Sequence, residues 1–116
     1  LYDGGRAAAD IRAARASVLL VEAQRDSLLV ALTSELDAAR QQIVANRANV
    51  IASTEAVTAA RAQLHLANAR YTHGLGSQIE LTDAQTAVTT AEGNLITAEW
   101  QLATAWARLK RALGKL

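Results

Sequence analysis

Glu80 and Asp83 are the side chains of this sequence best placed to do chemistry. Three positions apart, they share one face of a helix, and residues 71–107 hold four acids and no Lys or Arg. Local structural roles compete for both. Ser77 and Glu80 fit the S-x-x-E capping box, in which each side chain satisfies a backbone N–H at a helix start. Asp83 fits a first-turn acid favoured by the helix dipole. His65 and His73 stand eight residues apart with no other histidine and no cysteine. They do not compose a standard metal site and are read as solvent-exposed polar residues. Ser, His and Asp all occur, but nothing marks a pocket that would orient them, so no catalytic residue, cofactor or metal is expected. Arg108, Lys110, Arg111 and Lys115 cluster near the C-terminal end, where positive charge suits a helix terminus. A net charge of +1 and the acidic stretch beside them speak against nucleic acid as a partner.

The elements that carry these residues follow from composition. Of 116 residues, 51% are apolar, yet aromatics are 3% and Phe, Pro, Cys and Met are absent. Alanine dominates, with Leu, Val and Ile behind it. Such a chain can bury a narrow seam between helices but is poorly supplied for a thick interior, which excludes most enzyme classes. The longest uninterrupted apolar stretch, Leu28 to Leu32, is far short of a membrane span. Leu1-Tyr2-Asp3-Gly4-Gly5 reads as an internal segment rather than a signal peptide.

Between Gly5 and Gly74 nothing breaks a helix, and good helix formers dominate. The stretch Tyr71-Thr72-His73-Gly74-Leu75-Gly76-Ser77 reads as a turn, with Gly74 ending the first helix at a positive φ. Helical sequence resumes at Gln78 and closes at Gly114 as a C-cap residue. The spacing thus predicts a lead-in segment (1–5), a long first helix (6–71), a tip turn (72–77), a second helix (78–113) and a C-terminal end (114–116).

A seven-residue period runs through both helices. Leu29, Leu36, Ile43, Val50, Val57, Leu64 and Tyr71 recur without a miss, with mostly small residues three positions after each. In the second helix Leu81, Val88, Leu95, Leu102, Leu109 and Leu116 recur, followed by Ala84, Ala91, Ala98, Ala105 and Ala112. A strict repeat of this kind makes a left-handed supercoil, and large residues over alanine let backbones approach closely. The fold expected is all-α: a long antiparallel coiled-coil hairpin with unequal arms.

The first arm is about twice as long as the second. Its N-terminal half has a seam of its own (Ile11, Ala14, Val18, Val21, Leu28 and Leu32) that slips phase by four residues before Leu36. A stutter would unwind the supercoil there. Alternatively, Ser34-x-x-Asp37 marks a break, and the isolated chain folds as a three-helix bundle. Either way the unpaired seam implies self-association or an internal partner. Leu19, Leu66, Ile96, Trp100 and Trp106 lie off the main seam, and either widen the core or form a second interface. Gly93, inside the second helix, reads as a close helix crossing or as drift.

Three motifs carry a resemblance. Leu1-Tyr2-Asp3-Gly4-Gly5-Arg6 resembles the L-[FY]-D-G-G-x start of a long helix in outer-membrane efflux proteins, the TolC family. Ala69-Arg70-Tyr71 through Gly74, then Ser77-Gln78-Ile79-Glu80-Leu81-Thr82-Asp83-Ala84-Gln85, resembles that family's tip signature. Ala112-Leu113-Gly114 resembles the A-L-G close of its second helix. Thr82 departs from an apolar preference. Gly76 replaces a residue that is basic in some members, so a salt bridge from that position is absent.

The resemblance implies a trimeric duct whose outer-membrane β-barrel continues as an α-helical barrel across the periplasm. This chain would be the hairpin of one repeat, the second by its motifs, excised or engineered from a longer protomer. Tyr71, Gly74, Gly76 and Ser77 would lie in the tip that docks the hairpins of a periplasmic adaptor. Glu80 and Asp83 would be the acidic residues of the constriction, where a ring of carboxylates attracts cations. The alternatives are a structural coiled coil, natural or designed, with no transport role, and the hairpin of the adaptor itself.

Overall fold

The computed structural model describes residues 4–115. Leu1, Tyr2 and Asp3 of the lead-in motif, and Leu116 of the heptad series, lie outside the described residues. Two helices account for the described chain: α1, Gly4–Thr72, and α2, Gln78–Gly114. No strand occurs among the described residues. Residues up to Asp37 and those from Ala38 onward form separate units.

Three expectations are corrected in detail. Gly4 and Gly5 already belong to α1 instead of forming a lead-in. The helix passes through Ser34–Asp37 without the break that a three-helix bundle requires. The reason is local: no Gly or Pro interrupts, and the Thr33 hydroxyl is satisfied within the helix, donating to the Leu29 carbonyl at 2.9 Å. Gly114 remains inside α2, and Lys115 caps it in right-handed backbone (φ −80), its N–H reaching the Ala112 carbonyl at 3.3 Å.

Threonine is a weak helix former, because its hydroxyl competes for backbone partners. Here the competition is resolved within the helix. Thr54, Thr58 and Thr72 of α1, and Thr86, Thr89, Thr97 and Thr104 of α2, each donate to the carbonyl four residues back.

In the second unit α1 and α2 run antiparallel, tied by Asn46 to Gln101, Arg61 to Glu92 and Arg70 to Glu80. Burial alternates by three and four residues. Ile43, Asn46, Val57 and Ala67 of α1 are buried, with Val50, Ser53, Ala60 and Leu64 half-buried between them. In α2 the alanines are the most enclosed: Ala98 is 1% exposed, Ala105 2% and Ala112 1%. Leu81, Val88, Leu95, Leu102 and Leu109 are only half-buried. An alanine methyl fits directly beneath the facing backbone. A longer side chain must reach around the flank, where two helices alone leave one side in water.

Asn46 is the polar member of this seam. Its Nδ2 donates to the Gln101 carbonyl at 3.2 Å, and its Oδ1 accepts from Gln42 Nε2 at 3.3 Å. Arg61 and Glu92 meet at 2.7 Å on an exposed flank, a pair worth at most about 1 kcal/mol.

In the first unit Ala8, Leu32 and Leu36 are half-buried, and the other described residues are exposed. Ile11, Val18, Leu19, Val21, Leu28 and Leu29 all belong to that exposed set. Leu29 therefore continues the heptad in sequence without joining the buried seam.

Candidate functional site

The tip joining the two helices is built by a short set of backbone bonds. Gly74 has φ +74, the left-handed conformation that a side chain disfavours. Around it the Leu75 N–H reaches the Arg70 carbonyl at 2.8 Å, and the Gly74 N–H reaches that of Tyr71 at 3.1 Å. This pair of bonds is a Schellman motif, which satisfies carbonyls that the helix end would otherwise orphan. The Arg70 carbonyl accepts a second bond, from Gly76 N–H at 3.1 Å.

Ser77 then starts α2 in extended backbone, and its Oγ accepts from the Glu80 N–H at 3.1 Å. The other half of the capping box goes elsewhere: the Glu80 carboxylate faces Arg70, with Nε to Oε1 at 3.4 Å. Arg70 Nη2 also donates to the Leu75 carbonyl at 3.4 Å. Gly76 sits close against this pair: a Cβ there would lie 3.0 Å from Glu80 Oε2 and 3.2 Å from the Arg70 Cβ, so these neighbours would have to give by a few tenths of an ångström.

The structure thus gathers Tyr71, Gly74, Gly76, Ser77 and Glu80 into one turn. Tyr71 is exposed at the end of α1, and Asp83 is exposed on α2 just beyond Glu80. His73 is exposed in the turn, and His65 is exposed in a shallow groove with Arg61, Leu64, Asn68, Leu81 and Gln85. Among the described residues no group of three or more His, Cys, Asp or Glu side chains could hold a metal ion.

Sequence reasoning missed Arg70, which was read only as part of a motif. Its signal was available: a base in the last turn of one helix and an acid in the first turn of the next, flanking a short turn. It also missed Leu75 and Ile79, each 74% exposed, which with Tyr71 add apolar side chains to the tip. The cation of the tip's ion pair is Arg70.

Two glycines of this hairpin are expected to respond oppositely to alanine. Gly93 faces open space, with nothing within 4 Å of an added Cβ, so no close helix crossing occurs there. Gly93→Ala should stabilise by about 1 kcal/mol. Gly74→Ala should destabilise by about 1 kcal/mol because of its positive φ. Urea melts followed by circular dichroism check both; a shift of the same sign in the two variants contradicts the tip geometry.

Outside the seam, α1 of the second unit exposes Val44, Ile51 and Leu66. On α2, Ile96 (66% exposed) and Trp100 (68%) are neighbours four residues apart on one outer face. Trp106, 44% exposed, lies closer to the seam. No described helix is long and apolar enough to cross a membrane.

The family model described as outer membrane efflux protein matches residues 1–115. No curated protein and no solved structure matches the chain. A match over nearly the whole sequence, joined to an all-α hairpin with this tip, is decisive: the chain belongs to the outer membrane efflux protein family.

Proposed function

We propose that this hairpin is a wall segment of the α-helical tunnel of an efflux or secretion duct, on the periplasmic side of an outer membrane. One observation carries the reading: the second unit keeps an exposed apolar strip on each helix after its seam is closed. Val44, Ile51 and Leu66 mark one strip, Ile96 and Trp100 the other. A lone coiled coil has no use for them. A ring of hairpins does, because each hairpin touches a neighbour through α1 on one side and α2 on the other. Contacts of that head-to-tail kind close into a ring when the rotation permits, and the family resemblance implies three protomers, each with two such repeats.

The tip is then the end of the tunnel. Tyr71, Leu75 and Ile79 offer an apolar surface to the hairpins of a periplasmic adaptor, and Gly74, Gly76 and Ser77 hold the turn that presents it. Narrowing of the tunnel at the tip is the gating step, with Glu80 and Asp83 as the acidic residues near the constriction. Conduction is passive, and no covalent chemistry is involved.

Ile51 and Trp100 lie at the same level of the hairpin, between the cross-links Asn46–Gln101 and Arg61–Glu92. The chain has no cysteine of its own, so single cysteines report cleanly. Mixed Ile51→Cys and Trp100→Cys chains, oxidised together, are expected to cross-link to each other in preference to themselves. Self-pairs alone, or no cross-links at concentrations where the chain associates, would count against a ring.

A further inference from the structure

We propose that Arg70 and Glu80 form a latch within each hairpin, and that the latch removes Glu80 from the free acidic charge of the tip, leaving Asp83 as its unpaired carboxylate. Arg70 touches every part of the turn. Its carbonyl receives the N–H groups of Leu75 and Gly76 at 2.8 and 3.1 Å. Its guanidinium reaches the Leu75 carbonyl and the Glu80 carboxylate, each at 3.4 Å.

Both partners are also favoured where they stand. Arg70 lies in the last turn of α1 and Glu80 in the first turn of α2, the helix ends that attract positive and negative charge respectively. Gly76 leaves room beside the pair, since a Cβ there would lie 3.0 Å from Glu80 Oε2 and press on the carboxylate. Asp83 is exposed and belongs to no ion pair among the described residues.

The two acids therefore divide the work. Glu80 is neutralised by its own hairpin and closes the turn. Asp83 keeps its charge for whatever passes or docks. Around a symmetry axis the tip would present one net negative charge per hairpin instead of two, a consequence that rests on the tunnel reading above. The latch itself does not, because it is measured on the hairpin alone.

Amide hydrogen exchange of the full chain tests it at Leu75 and Gly76, the N–H groups bound to the Arg70 carbonyl. Arg70→Met and Glu80→Gln are each expected to speed exchange there by about two- to fivefold, the scale of an exposed ion pair. The double variant should match Arg70→Met, which already removes the ion pair together with the contact to the Leu75 carbonyl. Asp83→Asn should leave these amides unchanged. Should Arg70→Met fail to fold, Glu80→Gln decides alone. Unchanged exchange in Glu80→Gln, or equal acceleration in Asp83→Asn, overturns the latch. Either result is independent of the cysteine cross-links that test the ring.

Discussion

Asn46→Asp is expected to destabilise the hairpin by about 3 kcal/mol at neutral pH. The asparagine is buried, and its Nδ2 donates to the Gln101 carbonyl across the seam. A carboxylate offers no N–H, so it would set one oxygen against the Gln101 carbonyl and bring a charge into the seam. The sign of the pH dependence follows. Burial raises the folded-state pKa of the new carboxyl above its unfolded value. Its protonated form is then the one compatible with folding, and the loss grows as pH rises through that folded pKa. Toward acid, a protonated carboxyl can donate to Gln101 in place of the amide. Urea melts of the variant at neutral and acidic pH, each referenced to the parent chain, check this. A penalty that is constant with pH would place position 46 in water.

Ala105→Leu carries the second large effect, a loss of about 3 kcal/mol from overpacking. Ala105 is 2% exposed beneath the facing helix, so added methylenes must push the backbones apart. The same substitution two residues earlier, at exposed Ala103, should stay within about 0.5 kcal/mol. Leu102→Asp, one residue before Ala103, should resemble Ala105→Leu, because it brings a charge to the seam. Thermal melts of the three variants separate the faces of α2. Equal melting temperatures for Ala103→Leu and Ala105→Leu would contradict the register.

Much of this hairpin could be read from residue types. The repeat of Leu81, Val88, Leu95 and Leu102 with alanine three residues later gave α2 its face. Gly74 and Ser77 marked the turn, because a positive φ and an N-cap each demand a narrow choice of side chain. The boundary between the two units, after Asp37, falls beside the phase slip at Leu32 to Leu36. What escaped was pairwise. Arg70 with Glu80, and Asn46 with Gln101, are separated along the chain and meet only once the antiparallel register exists. Heptad spacing treats Asn46 as a small-residue position, although its amide is a specific tie. Nor does periodicity say which seam residue is enclosed. Leucine and alanine share the seam in sequence, whereas Ala98, Ala105 and Ala112 are its most buried members in α2 because two helices cannot surround a long side chain.

The alanine ladder of α2 also bears on how such hairpins change length over evolutionary time. Ala84, Ala91, Ala98, Ala105 and Ala112 recur at one rung-spacing, the last three of them buried. An insertion of one rung-spacing in α2, matched by an equal insertion in α1, would restore every knob and every gap. The tip would move by about 10 Å with no new surface to invent. Indels in unmatched steps would rotate one helix against the other and be purged. A ruler graduated in sevens is thus built into the packing, and it sets the steps in which such a hairpin can lengthen.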